Sequence, residues 1–332
     1  MLFVYSYRIS ITYTNFFVKN IYHKLNNNKV YNKFWGENVQ LRTDLAIEAH
    51  EERSEELKDV DYVREEKAGL LIERLHVKTK RAGQLMGKEA GHYVTVSLPA
   101  LTDNIRDTDE RLPVIAEEIR RLLPVNGMVM VAGLGNVNIT PDALGPKVSK
   151  RVLATRHISG EVARATGLDI LRPVSVLEPG VTGQTGIETG ELILSVVRRI
   201  RPTAVVVVDA LASRRLERLG CTLQISDTGI SPGAGVGNHR TKLSEETLGV
   251  PVIAIGIPTV VDALTLVGDL VSPEDEKGAK ELEEKVTPRG RTMVVTPKEI
   301  DLLIERAAHL LSLSINLSLH ENVSTADLLS LL

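Results

Sequence analysis

The spacing of apolar residues divides the chain into segments that alternate between strand and helix patterns. Short continuous apolar runs, which are typical of strands buried on both faces, occur at 128–132, 204–208 and 250–255. Strand candidates of other patterns are the alternating residues 92–98 and the short apolar run 223–225. Apolar residues at helical intervals predict helices at 45–75, 106–123, 141–154, 188–200, 258–267 and 298–313.

This alternation predicts an α/β fold with a mostly parallel sheet and helices on both of its faces. The charged segment 272–291 contains Pro273 and Gly290, so it is expected to form an exposed excursion. We divide the chain into residues 1–36, the end of a leading segment at 37–44, a single α/β domain at 45–320, and a tail at 321–332.

The first 36 residues differ in composition from the rest of the chain. Ten of its twelve aromatic residues lie there, together with the run Asn26-Asn27-Asn28, and neither a helical nor a strand period persists. Two interpretations remain open: a pro-segment that packs on the domain, or AT-rich upstream sequence translated from a misassigned start. The composition favours the second, and the segment is kept out of the fold argument in both cases.

The overall composition restricts the class of protein only loosely. The formal net charge is -3, so bulk charge does not call for a nucleic-acid or membrane partner. The single cysteine, Cys221, excludes an intrachain disulfide and fits a reducing compartment. Neither a secretory signal nor an uninterrupted apolar run of about 18 residues is found.

Two aspartates follow buried strands at the positions where such sheets bind ligands, beyond the carboxyl ends of the strands. Asp142 lies in the first turn of the helix predicted after the strand 128–132, and Asp209 ends the strand 204–208. Each could simply cap a helix. Two neighbouring carboxyl groups cannot both ionise easily, so one can keep a proton while the other acts as a base toward water. If the parallel sheet brings the two aspartates together, the pair meets the chemical requirement for peptide hydrolysis without a metal, with the acid and the base unassigned.

Three glycine-rich segments, at 179–191, 227–238 and 256–262, could line a cleft around this pair. Neither a phosphate loop nor a complete dinucleotide fingerprint is present, and histidine and cysteine spacing does not predict a metal site. We expect no cofactor and no metal. The accessory cleft candidates, whose acids could equally be caps or surface charges, are Asn136, Thr140, Gln184, Glu188, Glu191, Ser213, Arg214, Asp227 and Asp262.

Residues 40–320 contain a series of long motifs in a fixed order. These motifs are GLGN with NITPDALGPKV (133–148), TRHI (155–158), PGVTGQTGIETGE (179–191), VVVDALASR (206–214), ISDTGISPGAGVGNHR (225–240), VPVIAIGIPTVVDALT (250–265) and VTPKEID (295–301). Together they resemble the germination proteases of spore-forming bacteria. The resemblance implies a fold similar to hydrogenase maturation proteases and an atypical aspartic endopeptidase whose catalytic pair matches Asp142 and Asp209. It also implies small acid-soluble spore proteins as substrates, a self-processing zymogen, a homotetramer, and a place in the cytoplasm of the forespore or spore core.

The resemblance further implies cleavage between an acidic residue and an apolar residue followed by alanine. Asp44-Leu45-Ala46 fits that pattern and predicts self-cleavage between Asp44 and Leu45. More than forty residues precede Leu45, whereas the family pro-segment is short, and the tail after His320 is outside the family pattern. Two alternatives stay open at this point: a hydrogenase-maturation-type protease, and a non-catalytic protein that binds spore proteins or a nucleotide.

Overall fold

The computed structural model describes residues 42–52, 57–99, 109–231, 241–270, 278, 281, 284–287, 293–323 and 325–331. The segment 1–36 and most of the expected excursion at 272–291 lie outside the described residues, so these two predictions stay untested. The strands are β1 (Val60–Lys67), β2 (Leu70–Val77), β3 (Gly91–Ser97), β4 (Val129–Gly133), β5 (Val174–Leu177), β6 (Ala204–Ser213), β7 (Thr222–Ser226), β8 (Val252–Asp262) and β9 (Val294–Val295).

In the described residues the helices lie before, between and after these strands. They are α1 (Ala46–Glu51), α2 (Lys80–Met86), α3 (Arg111–Leu122), α4 (Leu144–Ser149), α5 (Gly160–Ala165), α6 (Thr182–Thr185), α7 (Thr189–Ile200), α8 (Glu245–Leu248), α9 (Ala263–Leu270), α10 (Ile300–Leu319) and α11 (Thr325–Leu331). Short 3-10 turns cover Thr140–Asp142, Leu168–Ile170 and Leu216–Arg218.

All nine strands join one sheet in the order β1-β2-β3-β7-β8-β6-β4-β5, with β9 paired to β8. Pairing is parallel among β5, β4, β6 and β8, and antiparallel elsewhere. The predicted α/β class is confirmed, but the expectation of a mostly parallel sheet is wrong: three of the eight strand pairings are parallel and five are antiparallel. Parallel pairing is confined to β5, β4, β6 and β8. Beyond β8 the sheet continues with the antiparallel strands β7, β3, β2 and β1.

Two apolar layers cover the two faces of the sheet. Val206 and Val208 of β6 belong to the larger core, which α3, α4 and α10 close, whereas Val205 and Val207 face the core closed by α7 and α8. Alternation along the strand therefore fixes which face each following β6 residue presents. By length and composition alone α10 could cross a membrane, but 72% of its most apolar window is buried inside the protein, as in a core helix.

The prediction of one long helix over 45–75 is wrong. That region forms the short helix α1 and then the antiparallel hairpin of β1 and β2. The chain turns at Ala68 and Gly69, which both have positive φ values, of 50° and 70°. This is the geometry of a two-residue hairpin turn, and alanine at its first position hides the usual sequence signal. The helix predicted over 258–267 likewise starts later, because β8 continues to Asp262.

Candidate active site

The ends of β4 and β6 form a tight corner at the carboxyl edge of the parallel strands. Gly133 pairs with Val208, and the Leu134 N–H donates to the Val208 carbonyl at 2.8 Å. Gly145 of α4 packs directly on this junction. A Cβ atom there would lie 2.5 Å from the Val208 carbonyl oxygen and closer still to the backbone of Leu134. Only glycine lets the helix approach the two strand ends so closely.

Asp142 is held beside this corner by the loop that follows β4. The Asn136 N–H donates to Asp142 Oδ2 at 2.8 Å and also lies 3.1 Å from the Asp142 carbonyl oxygen. Gly135 makes the approach possible, since its φ is +113° and a Cβ atom on it would collide with the Asp142 carbonyl. The aspartate therefore ends the 3-10 turn Thr140–Asp142 rather than lying inside the helix predicted over 141–154.

Asp209 lies within β6, one residue beyond the last pairing of that strand with β4. It is buried, with 6% of its surface exposed, and its Oδ1 accepts a hydrogen bond from the Ala210 N–H at 2.9 Å. Its position continues the series of Val205 and Val207, so its side chain faces the layer of α7 and α8. A buried carboxylate needs such hydrogen bonds, because burial without partners costs several kcal/mol, roughly 2–7 for a neutral polar group and more for a charge.

Asp142 and Asp209 are attached to the same corner of the protein. Asn136 binds Asp142 and lies two residues after Leu134. Leu134 in turn binds Val208, the residue before Asp209. Gln184 reaches this loop from α6, donating from Nε2 to Asn136 Oδ1 at 2.8 Å. The backbone segments that carry the two carboxyl groups therefore meet at this corner. Within the described ranges no group of three or more His, Cys, Asp or Glu side chains is arranged as a metal site.

Three of the acidic cleft candidates are positioned by helix starts instead. Glu188 caps α7: its Oε2 accepts from the Glu191 N–H at 3.1 Å, and its Oε1 accepts from the Thr241 N–H at 3.2 Å. Glu191 itself lies exposed in the first turn of that helix. Asp262 Oδ1 accepts from the Thr265 N–H and hydroxyl at 2.8 and 3.0 Å at the start of α9. These contacts favour the capping interpretation for Glu188 and Asp262.

Ser213 ends β6 and Arg214 follows it. The Ser213 side chain contacts neighbouring backbone, whereas the Arg214 side chain contacts acidic side chains. The Ser213 hydroxyl is fully buried and donates to the Arg215 carbonyl at 3.0 Å. Arg214 Nη2 lies 2.7 Å from Asp269 Oδ1, and its Nη1 pairs with Glu52. Burial works against the charge of Arg214, but Asp269 and Glu52 outweigh it and raise the pKa above its ordinary value. Both residues therefore have structural contacts here.

Thr140 and Asp227, the last two cleft candidates, both make contacts with nearby backbone. The Thr140 carbonyl accepts from the Ala143 N–H at 3.1 Å, so Thr140 shapes the turn that carries Asp142. Asp227 instead fixes the start of β3, accepting from the His92 N–H and facing the His92 Nδ1, both at 2.7 Å. Asp227 therefore has a structural contact in place of a cleft role.

The segment around Asp44 runs along the edge of β6 that β4 leaves unpaired. The Asp44 N–H donates to the Ala212 carbonyl at 2.9 Å, and the Ala212 N–H donates to Asp44 Oδ2 at 2.7 Å. Leu45 is fully buried, and the Lys88 ammonium donates to the Thr43 carbonyl at 2.9 Å. Burial lowers the pKa of Lys88, although nearby Asp44 opposes this effect.

Two residues that the sequence did not single out hold parts of this site. Gln224 of β7 donates from Nε2 to the Asp44 carbonyl at 3.0 Å and accepts the Ala46 N–H at 2.6 Å. Thr259 of β8 donates to the Pro141 carbonyl at 2.8 Å and so anchors the turn of Asp142. The only sequence signal for either was a polar residue inside an otherwise apolar strand.

Comparison with known proteins identifies the family. The germination protease profile matches residues 37–273 and 265–330. The expectation that the tail after His320 is outside the family pattern is therefore wrong. The germination protease of Caldanaerobacter subterraneus subsp. tengcongensis is 45% identical over 88% of this chain and 98% of its own length. That of Clostridium perfringens is 40% identical over 87% and 98%, and that of Bacillus velezensis is 37% identical over 86% and 94%.

Among solved structures, the [NiFe] hydrogenase maturation protease HycI from Thermococcus kodakarensis aligns with 60% of this chain and 98% of its own, at 18% identity and a TM-score of 0.33. The profile match and the full-length relatives carry the assignment by themselves. The profile match covers both the Asp142 corner and the Asp44 segment. The chain belongs to the germination protease family.

Proposed function

We propose that this germination protease is an aspartic-type endopeptidase in which Asp142 and Asp209 activate a water molecule between them. The observation that carries the proposal is their attachment to one corner, through Asn136 on one side and β6 on the other. One carboxylate takes a proton from water, whose oxygen attacks the scissile carbonyl carbon. The other carboxyl group gives its proton to the departing amide nitrogen as the C–N bond breaks. The two roles remain interchangeable between the residues.

The substrates in this proposal are small acid-soluble spore proteins, as the family resemblance implies. An extended substrate would lie along the edge of β6 beyond Val208, where β4 has ended. The contact of Asp44 with Ala212 shows that an extended segment of chain fits against this edge. Pairing of a peptide with a strand edge supplies affinity through main-chain hydrogen bonds, largely independent of sequence.

The proposal includes self-processing between Asp44 and Leu45, from a zymogen to the active enzyme. Asp44 already lies at the β6 edge, and Leu45 is buried beside Leu211 in the cluster that α1 and α2 cover. After cleavage the new N-terminus at Leu45 would stay packed there, while the upstream segment leaves. We extend the proposal to a homotetramer in the cytoplasm of the forespore or spore core, without a direct nucleic-acid or membrane partner.

Replacement of each aspartate tests the mechanism. Asp142→Asn and Asp209→Asn keep the side-chain size but remove the titrating group, so hydrolysis of a small acid-soluble spore protein should fall by about 10²- to 10⁴-fold. Binding of that protein should persist. Asp301→Asn, in the exposed first turn of α10, makes the same chemical change away from the site and serves as the matched control. Either site variant cutting at the control rate would contradict the mechanism.

A further inference from the structure

Asp44 is fixed in the structure at three of its own polar atoms. Its N–H and its Oδ2 bind the backbone of Ala212, and its carbonyl oxygen accepts a hydrogen bond from Gln224 Nε2 at 3.0 Å. That carbonyl belongs to the Asp44–Leu45 peptide bond. The residue before the expected cleavage site is thus held in one position from both sides.

Gln224 holds the chain on both sides of that peptide bond. Its Nε2 donates to the Asp44 carbonyl, and its Oε1 accepts the Ala46 N–H at 2.6 Å. The Asp44 carbonyl can only accept and the Ala46 N–H can only donate, so these partners fix the orientation of the amide. Gln224 is 8% exposed, and its two partners lie 180 and 178 residues before it in the chain.

Gln224 and Asp209 lie on the same face of the sheet with a glycine between them. Gly256 pairs with Asp209 on one side and with Gln224 on the other. The residues before each of the two, Val208 and Leu223, both face the opposite core, so Gln224 and Asp209 point the other way. Their backbones are two strand spacings apart, about 10 Å.

Leu211 of β6 packs over this glycine. A Cβ atom on Gly256 would lie 2.6 Å from Leu211 Cγ and 2.7 Å from the Asp209 carbonyl oxygen. Asp44 contacts both Ala212 of β6 and Gln224 of β7, so its backbone links the two strands that flank β8.

We propose that Gln224 binds the scissile carbonyl during self-processing and stabilises the negative charge that develops on its oxygen. The inference rests on the proposed cleavage between Asp44 and Leu45. As water adds to the Asp44 carbonyl carbon, the C=O bond becomes a C–O⁻ bond, and the Gln224 N–H, already directed at that oxygen, donates to it more strongly. Collapse of this intermediate restores the C=O bond and breaks the C–N bond to Leu45, whose nitrogen takes up a proton. A single donor of this kind contributes about 10²- to 10³-fold to the rate.

The alternative explanation is that Gln224 only caps α1. Ala46 is the first residue of that helix, and its N–H has no partner within the helix, so the Gln224 Oε1 contact stabilises the helix start by itself. The two explanations separate because capping uses the amide oxygen, whereas the charge at the carbonyl needs the amide N–H. A substitution that keeps the acceptor and removes the donor distinguishes them.

The experiment follows self-cleavage of the purified full chain by N-terminal sequencing and gel densitometry, with Gln224→Glu and Gln224→Leu compared with the unmodified chain. Gln224→Glu keeps the oxygen that Ala46 needs. We expect both variants to be folded and to cut about 10²- to 10³-fold more slowly near neutral pH. As the pH falls toward about 4.5, the glutamate gains a proton and becomes a donor, so its rate relative to the unmodified chain should recover. Gln224→Leu should not recover.

Two outcomes overturn the proposal. One is a folded Gln224→Leu chain that cuts at the unmodified rate. The other is a Gln224→Glu chain whose relative rate stays constant with pH, which would leave only the capping role. Asp209→Asn is measured in parallel: if it still cuts, the aspartate mechanism fails, whereas loss of cutting there with normal cutting by the Gln224 variants refutes the role of Gln224 alone.

Discussion

The packing of Gly145 on the strand ends makes Gly145→Ala a test of the corner that carries both aspartates. The backbone of Gly145 is helical, so alanine is not strained by its φ angle, and the effect is purely steric. The added methyl carbon would lie 2.5 Å from the Val208 carbonyl oxygen, against an ordinary contact of 3.4–4 Å. Because the colliding atoms are all backbone, relief requires α4 and the strand ends to separate by about 1 Å.

The expected loss has two parts of different size. Overpacking of this kind destabilises a fold by about 1–3 kcal/mol, which lowers the melting temperature of a chain this long by several degrees. A displacement of about 1 Å in a catalytic group costs about 10²-fold in rate. Hydrolysis per folded molecule should therefore fall far more than the folded fraction does.

The assay measures both quantities on the same preparation, by thermal unfolding and by initial rate on a small acid-soluble spore protein. Gly183→Ala is the control, since a Cβ atom there has nothing within 4 Å, and its stability should change by less than about 0.5 kcal/mol. A Gly145→Ala chain with unchanged rate per folded molecule would refute the dependence of catalysis on this corner. An unchanged melting temperature would refute the steric argument itself.

Two further predictions concern stability. His320 is 1% exposed, and burial, assisted by Arg172, lowers its pKa from 6.5 to about 4. Between these values the unfolded chain binds a proton that the folded chain does not, so stability falls by about 3 kcal/mol as the pH drops through that window. His320→Leu should abolish this slope in urea titrations at pH 4 to 7, and an unchanged slope would contradict the assignment. Arg214→Met should destabilise the fold by about 2 kcal/mol, since Asp269 and Glu52 each keep partial solvent exposure. It should leave the rate per folded molecule unchanged, and a large rate loss in folded protein would return Arg214 to the cleft.

The parallel half of the fold could be predicted from the sequence because its signals are local. The runs that became β4, β6 and β8 are continuous and apolar, and the buried valines of β6 are visible residue by residue. The hairpin of β1 and β2 could not be predicted in this way. β1 is exposed over almost its whole length, so its side chains do not alternate, and the apolar residues of β2 at 71, 72 and 75 have the i, i+1, i+4 spacing of a helix.

The candidate site likewise contains residues that the local sequence reveals and residues whose contacts form only in the folded chain. Asp142 and Asp209 can be predicted from local sequence, because Asp209 directly follows a recognisable apolar strand and Asp142 lies at the helix start that comes after another. Gln224 was missed because its role depends on Asp44 and Ala46, which meet it only through the folding of the sheet. Glu188, Asp227 and Asp262 are candidates only because they are acidic residues in glycine-rich segments. A carboxylate that caps a helix looks the same in the local sequence as one that lines a cleft.

A crystal structure of the full, unsubstituted chain at neutral pH, at a resolution that shows ordered water, tests whether Asp142 and Asp209 share a water molecule. We expect one water molecule within about 3.2 Å of a carboxyl oxygen of Asp142 and, at the same time, of a carboxyl oxygen of Asp209. Carboxyl groups too far apart to share a water molecule, or separated by protein side chains, would contradict it.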